Sequence, residues 1–424
     1  MSSQFSMKSY MKGALLLTVA ALIVKVLSAV YRVPFQNLVG DQGFYVYQQV
    51  YPFISFFVVW TSGGVAVAIS KMLADTNEEG IKQGITKIIF QYLTVLSLLF
   101  FALLFFGAHM LSSWMGDPLL APLLKTGAFI TLCMPALAIM KGTFQSRGMM
   151  EPVAYAQVFE QAIRVSIILI GTIIVMTTLS QSVYAAGNMA VLGTVIGELA
   201  GVILLFVYMK KKGILCKEST TISKWPIIRE VTIFSITVSM SSLLLLAYQL
   251  VDSFTVFSML VDLGMPTLEA METKGIYDRG QPLVQLGIVI ASSFSLAIVP
   301  LVAHKSKKNT CDEVPYIQLT YRASLLFGLA ASLGLVLVMP YANTLLFKTD
   351  ALSPVLMLYV LQIIWLSIIL TFTSILQGYG KLKVPAYFLL GAFTLKIAGN
   401  LLFIPLFGIL GVAVASNIGL CICA

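Results

Sequence analysis

Apolar residues run along this chain in long blocks, broken by proline, glycine and short charged clusters. Reading the blocks against these breaks predicts helices near 13–31, 44–70, 88–110, 119–140, 153–176, 184–209, 231–260, 282–303, 319–341, 351–376, 384–406 and 408–424. Most have the length of about 20 apolar residues that a helix needs to cross the hydrocarbon core of a bilayer. Twelve spans put both chain ends on one side. The first has Lys8 and Lys12 before it and the small-residue stretch Leu27-Ser28-Ala29 near its end, as a signal peptide would. Lys25 interrupts that run and eleven spans follow, so it is read as an uncleaved first helix.

Composition narrows the picture. Of 424 residues, 58% are hydrophobic and 11% charged, against roughly 45–50% and about 25% in soluble domains. So few charges cannot cover the surface of a soluble fold, and disorder, a coiled coil and a disulfide scaffold are excluded with it. The net charge of +9 raises the question of a nucleic-acid partner, which the placement of the basic residues answers. Loops on the N-terminal side hold 18 of them: Lys8, Lys12, Lys71, Lys82, Lys87, Lys141, Arg147, Lys210, Lys211, Lys212, Lys217, Lys224, Arg229, Lys305, Lys307, Lys308, Lys381 and Lys383. The opposite loops hold 4, namely Arg32, Lys274, Arg279 and Lys348. This bias predicts a multi-pass plasma-membrane protein with its N-terminus in the cytoplasm, anionic lipid as the basic partner and no nucleic acid. The five cysteines, Cys133, Cys216, Cys311, Cys421 and Cys423, form no CxxC, and His109 and His304 are the only histidines, so neither a zinc site nor a disulfide set is expected.

The longest basic loop, 210–230, follows the sixth span and separates two similar hydropathy patterns. At an offset of 232, Gln145/Gln377, Gly148/Gly380, Ala154/Ala386, Tyr155/Tyr387 and the cations Arg164/Lys396 coincide. At an offset of 230, Pro52/Pro282 and Ser62/Ser292 coincide. The fold expected is an all-α polytopic membrane protein of about 12 helices: a six-helix lobe over 1–209, the basic cytoplasmic linker 210–230, and a second six-helix lobe over 231–424. Copies six spans apart share one orientation, which implies a pseudo-two-fold axis along the membrane normal and two lobes that rock about a central cavity.

Charges inside spans are the candidate chemistry, because each costs ~2.5–3.5 kcal/mol at a helix centre on insertion scales. They are the cations Lys25, Lys125, Arg164, Arg322 and Lys396 and the anions Glu160, Glu198 and Asp252. Glu160 and Arg164, four apart, share one helix face, which suits either a structural ion pair or a cation for an anionic headgroup beside a carboxylate that takes a coupling ion. Lys25 and Arg32, seven apart, also share a face. Glu198 and Asp252 fit local pairs or a site for Na⁺ or H⁺. Lys125, Arg322 and the loop residue Lys348 are read as snorkelling to an interface. There is no Walker A sequence, G-x-S-x-G elbow or HExxH, so neither an ATP-driven pump nor a hydrolase is supported. A membrane glycosyltransferase or polymerase, which needs only a few carboxylates, stays open in principle, but the expectation is no enzyme and no cofactor. Energy is expected from Na⁺, H⁺, membrane potential, or supply and removal of substrate on opposite sides. The predicted outer loops are short and acid-poor apart from 261–280.

Residues 25–82 carry a resemblance: Lys25-Val26-Leu27-Ser28, Tyr31-Arg32-Val33-Pro34, Leu38-Val39-Gly40-Asp41-Gln42-Gly43, Tyr47-Gln48, Pro52 and Ser62 through Lys71. It continues in Gln157 through Arg164, Gln281-Pro282-Leu283-Val284 with Ile298-Val299-Pro300, and Leu376 through Pro385. Together these resemble the polysaccharide biosynthesis branch of the multidrug/oligosaccharidyl-lipid/polysaccharide exporter superfamily, most closely its stage V sporulation protein B and lipid II flippase-like group. The resemblance implies a monomeric flippase that moves an undecaprenyl-pyrophosphate-linked sugar between leaflets by alternating access. It also implies pyrophosphate-binding cations on the first and near the eighth helix, here Lys25, Arg32 and Arg279, with Arg164 and Lys396 as further substrate-binding candidates. Lysine at 25 keeps the family's charge but not its planar fork, and the second span holds no cation. The family has fourteen helices, so the chain is expected to be about two short. Three functions compete at this point: a flippase for cell-wall, polysaccharide or spore-cortex precursors, a multidrug or cation antiporter of the same fold, and a non-transporting protein supporting envelope assembly. The interior cations favour an anionic substrate and hence the flippase.

Overall fold

The computed structural model describes residues 7–214, 222–289, 291–293, 314–381 and 383–424, all helix and connecting turn among the described residues. Cys216, Cys311, His304, Lys217, Lys305, Lys307, Lys308, the Ile298-Val299-Pro300 motif and half of the span expected at 282–303 lie outside them, as do the side chains of Lys8 and Lys12. Helices α1 (Met7–Val30), α2 (Arg32–Val59), α3 (Ala66–Ala74), α4 (Glu79–Phe106), α5 (Ala108–Trp114), α6 (Ala121–Ser146), α7 (Glu151–Ile173) and α8 (Val183–Lys211) form the first half. The second comprises α9 (Lys224–Asp262), α10 (Thr267–Asp278), α11 (Gly280–Gly287), α12 (Val314–Phe347), α13 (Ser353–Val360), α14 (Gln362–Gly378), α15 (Lys383–Phe407) and α16 (Ile409–Cys423).

Nine helical stretches among the described residues are long and apolar enough to cross a membrane. The difference from twelve has three sources. Spans one and two merge into a single stretch, Leu16–Ala74, because only Tyr31 interrupts the helices between them. Half of the eighth falls outside the described residues, and the last, Ile409–Cys423, is a shorter apolar helix.

Two connections read as loops are helical. Residues 32–39 continue as helix up to Gly40, whose left-handed φ of 69° turns the chain before the long run begins. The stretch 261–280 contains α10, whose Ala270, Met271, Lys274 and Tyr277 are buried at helical spacing. That face was masked in the sequence by its three acids and a lysine.

Within the first lobe α7 packs on α8, α6 on α8, α4 and α3, and α1 on α7; in the second, α15 packs on α16 and α9, and α12 on α14. The seam between them is made by α2 against α9 and α10, by α1 against α11, and by a π-helical turn at Trp60–Val65 against α9. One apolar core crosses the seam, joining Phe35, Phe44 and Tyr45 to Phe257, Leu356 and Val360. Large apolar side chains such as Leu103, Phe106, Leu337, Leu345 and Leu406 are exposed, as an outer surface in contact with lipid requires.

Two of the residue pairs matched in sequence share local geometry. Gly148 and Gly380 end α6 and α14 with φ of 71° and 74°, and their N–H groups donate to Gln145 O and Gln377 O at 2.9 and 3.0 Å. Ser62 and Ser292 each accept a lysine ammonium, from Lys141 at 3.0 Å and from Lys25 at 2.9 Å.

Candidate functional site

Arg32, the first residue of α2, is fully buried at the seam. Among the described residues none of its three guanidinium nitrogens has a hydrogen-bond partner. Its guanidinium carbon lies 4.4 Å from the centroid of the Tyr51 ring, five turns further along the same chain segment. The hydroxyls of Tyr31 and Tyr47 are joined to each other at 2.8 Å. Deeper in the seam, Gln48 donates to Gln281 across the lobes, leaving Gln48 Oε1 and Gln281 Nε2 without partners. Lys25, one stretch earlier on α1, bridges the lobes through Ser292 and is only part-buried. The arrangement is a buried, aromatic-walled cation with unused donors, and such a cation is costly unless something anionic meets it.

Arg279 has a different environment. Also fully buried, it donates Nε at 3.0 Å and Nη2 to Asp41 Oδ1 and Nη1 at 3.0 Å to Asn343 Oδ1. Phe347 covers it at 5.0 Å. Asp41 follows the Gly40 turn and is held by Gln36 at 2.9 Å. Nearby, Gln42 donates to Glu272 at 3.0 Å and Asn37 to Leu346 O at 2.8 Å. The cluster latches α2 of the first lobe to α10 and α12 of the second.

The remaining interior charges are paired, and not as their spacing suggested. Glu160 and Arg164 share a face of α7 but bond to other helices. Lys141 on α6 lies 3.0 Å from Glu160 Oε1 and 3.1 Å from Oε2, and Arg164 donates to Glu198 on α8 at 2.7 Å. α8 can approach that closely because Gly197 and Gly201 face α7: a Cβ at Gly201 would collide with the Glu160 carboxylate. In the second lobe Lys396 on α15 meets Asp252 on α9 at 2.7 Å, Ser416 Oγ at 2.6 Å and Val412 O at 3.3 Å. Asn400, one turn beyond Lys396, donates to Asp252 at 2.9 Å and Thr255 at 2.8 Å.

Of the eight site residues predicted from sequence, the structure brings Lys25 and Arg32 to the seam beside α10 and α11. Arg279 belongs to the latch. Arg164 with Glu198, Glu160 with Lys141, and Lys396 with Asp252 form three separate pairs. Lys141 and Lys274 were assigned to loops and are both buried, Lys274 binding Asp278 at 2.6 Å. The signal for Lys141 was its flanks, Met140 and Gly142-Thr143-Phe144, which hold no other charge. Asn400 also carried a signal, four residues after Lys396 on one face. Nothing local marks Asp41 or Asn343 as partners of Arg279. Lys125, read as snorkelling, lies 3.3 Å from His109 Nε2 at an exposed position, and Arg322 is exposed.

Comparisons agree with this architecture. The family described as polysaccharide biosynthesis protein matches residues 10–306. An uncharacterised membrane protein, YabM of Bacillus subtilis (strain 168), is 36% identical over 414 residues, covering 96% of this chain and 76% of the relative. The lipid II flippase MurJ of the same organism is 23% identical over 435 residues, covering 96% of this chain and 80% of the relative. Among solved structures, lipid II flippase MurJ in an inward closed conformation superposes with a TM-score of 0.74 at 16% identity, over 96% of this chain and 86% of that one. The shared fold is that of a polytopic membrane transporter.

Proposed function

This chain belongs to the polysaccharide biosynthesis protein family, and from that premise we propose that it is a flippase. Its substrate is an undecaprenyl-pyrophosphate-linked oligosaccharide or peptidoglycan precursor, lipid II-like, carried between leaflets by alternating access. The observation that carries this reading is Arg32: a fully buried guanidinium with no hydrogen-bond partner on any nitrogen among the described residues, at the seam where two lobes meet. A pyrophosphate offers several charged oxygens, and a guanidinium offers five N–H donors in a planar fork that matches them. Lys25, which among the described residues donates to a serine hydroxyl and meets no carboxylate, supplies a second cation. A drug cation would meet charges of its own sign here.

Arg164 and Lys396 already hold carboxylates, so their role is to keep each lobe rigid while the seam opens and closes. The latch at Arg279 has to release before the Arg32 seat can open toward that end. Glu160, Glu198 and Asp252 each have a cation in place, and a coupling Na⁺ or H⁺ would act by displacing one of these partners.

The test is a headgroup-accessibility assay in liposomes containing the purified protein. It compares fluorescent lipid II with other polyprenyl-linked glycans, with and without Na⁺ and voltage. Translocation of at least one pyrophosphate-linked glycan, lost in Arg32→Gln, is the expected result. Equal translocation by wild type and Arg32→Gln overturns the seat, and transport of organic cations alone overturns the substrate class.

A further inference from the structure

At the end of the bundle opposite the latch, a groove of ≈ 660 Å³ lies between the lobes. It is formed by the end of α3, the first turns of α9 and the turn between α14 and α15. Lys71 comes from the first lobe; Arg229, Lys381 and Lys383 come from the second, with Glu230 among them. Four cations against one carboxylate leave an excess of three positive charges. Among the described residues none of the four cations forms an ion pair or side-chain hydrogen bond with the protein; Lys71 lies over the Phe234 ring at 4.4 Å. Elsewhere in this molecule interior cations find carboxylates, as Lys141, Arg164, Lys274 and Lys396 do. Apart from Lys25 and Arg32 at the seam, the groove is where cations gather without doing so among the described residues.

One wall is apolar, built by Ile233 and Phe234. Trp225, on the opening turn of α9 beside the groove, is exposed, the position of an aromatic residue at a membrane–water interface. Cations beside an apolar wall at interface depth match an amphiphile with an anionic head. We propose that this groove binds the phosphodiester headgroup of an acidic phospholipid of the surrounding bilayer, which braces the two lobes at this end. The occupant touches both lobes, so it binds one arrangement of the seam better than another and biases the equilibrium toward it. The site is independent of the Arg32 seat, and its ligand is a resident lipid and not the transported one.

The purified full chain is placed in nanodiscs of neutral phosphatidylcholine, and the thermal unfolding midpoint is followed as phosphatidylglycerol is added. A saturable rise of several degrees is expected. Lys381→Gln with Lys383→Gln, and separately Lys71→Gln, are expected to weaken the lipid's apparent affinity, the pair by about tenfold or more. Lys210→Gln with Lys212→Gln removes the same charge from this end outside the groove and is expected to leave the rise intact. An equal loss in that control, or no rise in wild type, overturns the site, since either result means diffuse surface charge or none. A rise reproduced by soluble pyrophosphate in neutral nanodiscs overturns the lipid assignment in favour of a free phosphate ligand. Because translocation is not the readout, this proposal and the flippase reading fail separately.

Discussion

Two arginines in this protein are fully buried at the same seam, and their surroundings differ in one respect. Arg279 spends its guanidinium on Asp41 and Asn343, whereas Arg32 spends none of its donors on the described residues and lies among tyrosine rings. A buried charge with good partners is held structure, and breaking such a pair is costly because it strands the other charge. A buried charge without partners is a cost kept for another reason, and inside a membrane protein that reason is by default functional. The first region reads as a latch and the second as a seat. Burial alone would have classed them together.

The sharpest way to break this comparison is to neutralise both arginines and read activity and stability side by side. Arg32→Gln is expected to abolish translocation of a fluorescent lipid-linked precursor in vesicles, while the thermal midpoint of the empty protein stays level or rises. A lower midpoint, comparable with that of an Arg279 variant, would mean that Arg32 is structural after all. Arg279→Gln is expected to cost ~3–5 kcal/mol of stability, because Asp41 loses its cation while still enclosed. Adding Asp41→Asn should return part of that loss, and a double-mutant cycle checks the coupling. Lys25→Ala removes one hydrogen bond to Ser292 and is expected to cost only about 0.5–1.5 kcal/mol in stability. Its translocation rate should fall far more than that loss explains, and an unchanged rate would remove Lys25 from the seat. The most local effect is expected from Gly40→Ala, which forces a Cβ into a φ of 69° with an extended ψ of -174°, a region kept for glycine, at a cost of about 1–3 kcal/mol. Nothing lies within 4 Å of that Cβ, so the loss should come from the backbone and appear as a weaker latch in cross-linking between positions 42 and 272.

The same contrast shows what was legible beforehand. Arg32 and Lys25 were found because their spacing and neighbours are local properties of one segment. Arg279 was found through its resemblance to a family position, but its partners are 238 and 64 residues away, and no pattern in the chain points to them. Glu160 and Arg164 illustrate the opposite error. Their spacing of four is the right one for an ion pair on a helix, yet α6 and α8 bring Lys141 and Glu198 closer than α7 brings the pair to itself. The glycines that permit this approach, Gly197 and Gly201, were visible as letters but not as contacts.

Sequence by itself determined the class of molecule, most of its helices and a short set of interior charges as candidates. Hydropathy, helix length and charge counts are sums over neighbouring residues, so the chain states them directly. Tertiary structure decided which of those charges are satisfied. Whether a guanidinium meets a carboxylate or only rings depends on how helices from distant parts of the chain rotate and close against each other. That choice turned a list of eight candidates into three braced pairs, a latch, a bridging lysine and one unpartnered arginine.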